Sequence, residues 1–305
     1  MIYTVTLNPA LDIEYQISEF EFDCVNRARE YRTDCGGKGF NVSRMLNNLG
    51  SYSIAMGFVG GFTGMQMEKQ LIDAGVRFDF TRIKAETRTN VSIVAEKSGR
   101  HIKVNGNGSP ITEENTAALL EAVAAKAKTG DWWVLGGSLP PGVKPDIYAR
   151  IIEIIRVVGG FTVLDTSGEA LALGIKATPT MIKPNLEEAR QLLEDVGGKT
   201  ISQRDLADRV LAMGIPCLVI SMGREGALLA TNDTFCLFDS PTIVEKNPTG
   251  AGDSLVAGMV YRLSEGDSFS DALKFGIACG AATASCPGTE LGSKILVEEL
   301  RRCMD

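Results

Sequence analysis

The feature that most constrains this chain is a rhythm that sets in at Trp132 and runs to the end. Residues 132–135, 161–165, 181–183 and 217–221 are short apolar runs that read as strands. Between them lie helical stripes. A helix opened by Pro145 carries Tyr148, Ile151, Ile152 and Ile155 on one face, residues 186–194 form another, and Ser202 caps a third that stops at Gly214. Strands alternating with helices predict an α/β fold, a mostly parallel central sheet covered by helices on both faces. The hydrophobic share of 44% is enough to fill the core of such a sheet.

The first third keeps this rhythm with interruptions. Residues 2–7 and 54–59 read as strands, the latter ended by Gly60-Gly61, and 65–74 as a helix closed by Gly75. Val42, Met45, Leu46 and Leu49 mark a helix stopped by Gly50, and Thr112 caps a helix carrying Leu119, Leu120, Val123 and Ala127. Two stretches, about 11–34 and 88–105, alternate apolar and polar residues without a helix. They include 25–31 as an extended segment and a hairpin around Ser98-Gly99. Paired together they predict a small second sheet, a β-lid inserted into a single domain spanning 1–305. A further hairpin is expected at 227–231 and 234–238, with helices after Ser268 and Ser293.

Ligands of such folds bind at the carboxyl ends of the strands. Two glycine-rich turns open helices there: Cys35-Gly-Gly-Lys-Gly, with Lys38 and Asn41 at its mouth, and Asn247-Pro-Thr-Gly-Ala-Gly-Asp-Ser. The second leads straight into the stripe Leu255, Val256, Met259, Val260, Leu263. The first N–H groups of a helix have no partner within it and carry the positive end of the helix dipole, so an anion suits them. On its own, Gly-x-Gly-Asp fits an ordinary helix cap as well as a phosphate cradle. A nucleotide loop of the Walker type would need Lys-Ser or Lys-Thr where Asp253 stands. A carboxylate there would repel a resting phosphate, but it could take the proton of a hydroxyl that attacks one.

Other classes are disfavoured. A net charge of −7 argues against a nucleic-acid binder. No run is long enough for a membrane span and no secretion signal is visible, so a cytoplasmic protein is expected. The seven cysteines are scattered, with no C-x-x-C spacing, and most read as small core residues. His101 is the single histidine, in a polar setting, which removes any mechanism needing a pair.

With Gly37-Lys38-Gly39-Phe40-Asn41-Val42 near its start and Gly250-Ala251-Gly252-Asp253 near its end, the chain resembles the PfkB, or ribokinase-like, carbohydrate kinases. The resemblance runs nearly end to end. It includes Thr6-Leu7-Asn8-Pro9-Ala10-Leu11-Asp12, Gly137-Ser138-Leu139-Pro140-Pro141-Gly142, Lys183-Pro184-Asn185-x-x-Glu188 and Ser221-Met222-Gly223-x-x-Gly226. Val25-Asn26-Arg27, Thr87-Arg88-Thr89-Asn90-Val91 and Asn105-Gly106-x-Gly108 are most similar to the phosphosugar branch. Within it the kinases of fructose 1-phosphate come first and those of tagatose 6-phosphate second. The lead-in Asn247-Pro248-Thr249 departs from that branch, which more often has Ser-Thr-Val there.

The resemblance implies ATP as donor, Mg²⁺, a phosphosugar acceptor and a homodimer joined through the lids. It implies Asp253 as base and the amides of Gly250, Ala251 and Gly252 as an anion hole. Asp12, Gly37, Lys38, Asn41, Arg88 and Ser138 would hold the sugar phosphate. Arg88 suits the non-reacting phosphate, because its planar fork can bind phosphate through two parallel bonds. Lys183, Asn185, Ser221, Gly223, Gly226 and Gly252 would line the nucleotide site, with Glu188 supporting Mg²⁺ through water. A sensor that had lost catalysis on the same fold would be expected to lack at least one of Asp253, the glycine loops or Glu188.

Overall fold

The computed structural model describes residues 1–193 and 201–304. In chain order the elements are β1 (Ile2–Thr6), β2 (Ala10–Ile17), β3 (Glu30–Gly36), α1 (Lys38–Asn48), β4 (Ser53–Gly60), α2 (Gly61–Asp73), β5 (Arg77–Phe78), β6 (Thr81–Ile83), β7 (Arg88–Ala95) and β8 (His101–Asn105). The rhythmic part follows: α3 (Glu113–Lys126), β9 (Trp132–Gly136), α4 (Ile147–Val157), β10 (Phe161–Asp165), α5 (Gly168–Ile175), β11 (Met181–Ile182), α6 (Leu186–Leu192) and α7 (Gln203–Leu211). The chain closes with β12 (Cys217–Ser221), β13 (Ala227–Thr231), β14 (Phe235–Phe238), α8 (Ala251–Ser264), α9 (Phe269–Ala284) and α10 (Lys294–Arg302).

The central sheet runs β14-β13-β12-β11-β10-β9-β1-β4-β5, with β6 also on β4. It is parallel from β12 to β5, and β13 and β14 close one edge antiparallel. Successive strand residues point to opposite faces, and both faces are covered. Trp133, Leu135, Leu164 and Leu218 join one apolar cluster with α3 to α7. Trp132, Val134, Val163 and Val219 join another with α1, α8, α9 and α10. Hence the strands are apolar on consecutive residues rather than alternately.

A separate sheet, β3-β2-β7-β8, stands beside the first, built from the two expected insertions. Its strand Glu30–Gly36 overlaps only the end of the extended segment expected at 25–31, and residues 25–29 form no strand. At its root, Leu11 and Cys35 pack on Met67 and Leu71 of α2.

Some boundaries differ from expectation for long-range reasons. α2 starts at Gly61, where Gly60-Gly61 seemed only to stop a strand. The Glu86 carboxylate accepts the N–H groups of Phe62 (3.1 Å) and Thr63 (2.9 Å), capping the helix from a distant position. Pro145 lies just outside α4, and Ile147 is its first residue. The helix read to Glu194 is described to Leu192, and Glu194 lies outside the described residues. Of the cysteines, Cys35, Cys217 and Cys279 are buried, while Cys24 and Cys303 are exposed, so fewer belong to the core than expected.

Candidate active site

The loop from Asn247 leads into α8 through Gly250, whose left-handed backbone (φ 81°) suits a residue without Cβ. No side chain caps this helix, and of the three amides expected to form the anion hole, that of Ala251 donates to the Pro248 carbonyl at 3.1 Å. Asp253, in the first turn, is buried, with 8% of its surface exposed. Asn41 Nδ2 donates to its Oδ2 at 2.7 Å. Burial first, and the charge of Asp165 next, push Asp253 up to about 6, although the Asn41 hydrogen bond, Lys38 and Lys183 pull it down. A carboxylate so poised can accept a proton near neutral pH.

Two cavities meet at this loop. The first, ≈ 390 Å³, is lined by Ser221, Gly223, Gly226 and Gly252, with Leu255 and Ile277 among its apolar wall. The second, ≈ 410 Å³, lies under the lid and is lined by Asp12, Gly37, Lys38, Asn41, Arg88, Ser138 and Asp253. The loop is the partition between them. Pro248, Ala251 and Gly252 face the first cavity, and Thr249, Gly250 and Asp253 face the second.

In the second cavity, Asn90 Nδ2 donates to Asp12 Oδ1 at 2.7 Å. Burial raises the Asp12 carboxyl above its usual range despite that bond. Gly36 is what leaves room for it, since a Cβ there would collide with the Asp12 carboxylate. Ser138 follows Gly137, whose carbonyl accepts from the Tyr148 hydroxyl at 3.0 Å and from Thr166 Oγ1 at 2.9 Å. That pair of bonds fixes the turn presenting Ser138.

Arg88 lines this cavity but is engaged otherwise than expected. Its guanidinium donates to the carbonyls of Gly106 (2.7 Å), Asn8 (2.8 Å) and Pro9 (3.4 Å). The fork therefore ties the lid strand to the segment after β1, using three of its five N–H groups while it lines the cavity. Two other cations line the same cavity, Arg44 and Lys103. The Arg44 guanidinium donates to the Thr289 carbonyl at 3.3 Å. Lys103 forms no ion pair among the described residues. Sequence reasoning missed both, although Arg44 lies one helical turn beyond Asn41, and Lys103 shares the polar face of the lid with Ser92. Arg27 lines neither cavity.

Lys183 and Asn185 do not line the first cavity. Lys183 is buried, its Nζ 3.4 Å from Asp165 Oδ1, and a Cβ on Gly252 would lie 3.6 Å from that Nζ. Asn185 instead caps α6. Its side chain accepts from the Glu188 N–H, and Glu188 Oε2 accepts from the Asn185 N–H, both at 2.8 Å. Glu188 thus has a capping role, with a second carboxylate oxygen left over. Among the described residues no three His, Cys, Asp or Glu side chains gather to hold a metal directly. A water-linked Mg²⁺ carried mainly by phosphate oxygens is compatible with that donor set. Asp165 itself was read only as a strand end, and a lone carboxylate closing an apolar core strand was the available signal.

Residues 5–295 match the model of the pfkB family carbohydrate kinases. A 1-phosphofructokinase of Borreliella burgdorferi is 37% identical over 286 residues, 93% of this chain and 92% of that protein. A tagatose-6-phosphate kinase of Staphylococcus epidermidis is 35% identical over 287 residues, with 93% and 92% covered. Phosphofructokinase-2 from Escherichia coli, solved with potassium, superposes with a TM-score of 0.93 at 29% identity, covering 99% of this chain and 98% of its own. That protein has also been solved as an inhibited tetramer. The chain belongs to the pfkB family of carbohydrate kinases.

Proposed function

We propose that this kinase moves the γ-phosphoryl group of ATP to the C6 hydroxyl of D-fructose 1-phosphate, giving fructose 1,6-bisphosphate. The observation that carries the reading is the partition loop. Its residues alternate between an apolar-walled cavity suited to a nucleotide and a polar one suited to a sugar phosphate, with Asp253 on the sugar side. The names of the most similar relatives favour fructose 1-phosphate.

In this reading the hydroxyl lies against Asp253, which takes its proton as the oxygen attacks. The amides of Gly250 and Gly252, with that of Ala251 as it leaves the Pro248 carbonyl, meet the charge on the transferred group, which asks mainly for positioning and electrostatic stabilisation. Asp12, with Asn41 and the Gly37 backbone, orients the sugar. Ser138, Arg44 and Lys103 receive the non-reacting phosphate, with Arg88 holding the lid in place behind them. Ser221, Gly223 and Gly226 line the nucleotide site, and Lys183 reaches its phosphates from below Gly252. Asn185 contributes by fixing the start of α6. Mg²⁺ accompanying ATP would neutralise phosphate charge, with Glu188 supporting it through water. We assign the chain to the cytoplasm, where ATP is made, and read it as a homodimer joined through the lid.

A tagatose 6-phosphate kinase is the second reading, favoured by a relative of that name at 35% identity. An ADP-release assay with Mg-ATP separates these, comparing fructose 1-phosphate, tagatose 6-phosphate, fructose 6-phosphate and free fructose. Preference for fructose 1-phosphate is expected, and Lys103→Ala raises KM for the phosphosugar by about tenfold or more, the loss of one charge-assisted contact. Preference for a 6-phosphate reverses the sugar in the cavity. Turnover of free fructose alone overturns the phosphosugar reading.

A further inference from the structure

Lys38 lines the sugar cavity and Lys183 lies beneath Gly252 of the other, yet the two cations converge on one atom. Lys38 Nζ lies 2.7 Å and Lys183 Nζ 3.4 Å from the same atom, Asp165 Oδ1. Asp165 ends β10 at the carboxyl edge of the sheet, and its side chain is 3% exposed. The stem of Lys38 crosses Gly136, where a Cβ would come within 3.4 Å of its own Cβ. Its side chain is 35% exposed and lines the sugar cavity, whereas that of Lys183 is 6% exposed and lies beneath Gly252.

We propose that Asp165 is a positioning residue for phosphoryl transfer: one buried carboxylate oxygen clamps Lys38 from the sugar side and Lys183 from the nucleotide side, setting both cations beside the path that ends at Asp253. This rests on Asp253 acting as the base. A buried charge cluster is a poor route to stability, since apolar residues of similar volume usually serve as well. Two lysines converging on a place where phosphate charge passes do require a counter-charge, without which each would repel the other. Asp165 touches neither cavity wall, and so acts through the groups that do.

The charges facing one another here are Asp165, Lys38, Lys183 and Asp253, with Glu188 also acting on Lys38 and Asn41 as the neutral donor. Burial would raise the Asp165 carboxyl, but Lys183 and Lys38 hold it below the usual range. Burial would lower Lys38, but Asp165, together with the charges of Asp253 and Glu188, more than offsets that and leaves it above an ordinary lysine. Asp165 in turn helps to raise Asp253. Removing the charge of Asp165 while keeping its shape therefore disorders the lysines and lets Asp253 ionise at lower pH.

The test is Asp165→Asn, with Val163→Ala on the same strand as the variant that disturbs only packing. Asp165→Asn is expected to lower kcat by about 10- to 100-fold, as small misplacements at a reacting centre do. It should also move the acid limb of kcat/KM down by about half a pH unit or more. Val163→Ala should lose thermal stability and leave that limb in place. A folded Asp165→Asn enzyme with kcat within about threefold of the wild type and an unmoved limb overturns the proposal. Should that variant not fold, the Nζ resonance of Lys38 in ¹⁵N-lysine-labelled wild-type enzyme decides. Titration above the ordinary lysine range supports the clamp, and titration below it overturns it. Because that measurement needs no turnover, it separates a failed clamp from a failed substrate reading.

Discussion

Asp253 concentrates the conflict between stability and chemistry. Its carboxyl is buried and pushed up to about 6, against about 3.9 for an unfolded aspartate. A raised carboxylate means that the folded state binds the proton more tightly than the unfolded one. The cost of holding the charge is absent below about pH 4 and complete above about pH 6. Asp253→Asn keeps the shape and can still accept from Asn41 Nδ2 through its amide oxygen. It should therefore abolish most turnover, by about 10²-fold or more, while stabilising the fold at pH 8 by on the order of 2 kcal/mol. Thermal unfolding at pH 8 and pH 4 checks this, because the gain should vanish at the lower pH. In the wild type, kcat/KM should rise as pH passes through about 6. A flat profile between pH 5 and 8, or a variant less stable at pH 8, contradicts the assignment of Asp253 as an ionising base held at a cost.

Within α8 the two glycines of the partition loop divide the labour. Gly250 has φ 81°, so a side chain there is strained whatever the space. Gly252 has no such φ, and an added Cβ would meet only Lys183 Nζ, at an ordinary 3.6 Å. Gly250→Ala should cost about 1–2 kcal/mol of stability. Gly252→Ala should leave the melting temperature unchanged and raise KM for ATP or lower kcat by about tenfold, as a methyl group enters the cavity wall. Calorimetry with steady-state kinetics on both variants checks the division, which reversed effects would refute. The same contrast explains what could be read from sequence. The loop, its carboxylate, Asn41 and the lid were legible because local pattern encodes them. The helix Gly168–Ile175 was not, because Gly168 and Gly174 weaken its pattern, although Ala170, Leu171, Gly174 and Ile175 form a regular buried face. The strands Arg77–Phe78 and Thr81–Ile83 are too short to show any period. The start of α2, the true engagement of Arg88 and the Lys38–Asp165–Lys183 clamp are all set by partners far away in sequence. Only the fold brings those partners together.

At the scale of the whole molecule the lid presents two unlike faces. The registers Ser92↔Lys103 and Val91↔Val104, Ile93↔Ile102 put Lys103 on one face and Ile102 and Val104 on the other. The polar face, with Asp12, Asn90 and Lys103, looks onto the sugar-phosphate cavity and the ≈ 500 Å³ space beside it. On the strands' other face Ile102 is 42% and Val104 62% exposed, and Tyr31, packed on Tyr15, is 70% exposed. Large side chains gathered this way on a thin sheet mark an interaction surface rather than scattered surface residues. A sheet whose other face must close over substrate gains rigidity if a second copy covers this one. The enzyme should therefore sediment as a dimer, and Ile102→Glu with Val104→Glu should yield a monomer, since like charges at the centre of an isologous interface face each other. Because the lid then lacks its support, KM for the phosphosugar should rise by about tenfold while the melting temperature of the central sheet stays within a few degrees. A wild type that sediments as a monomer at assay concentration, with full activity, would show that the lid closes unaided and that this face serves another partner.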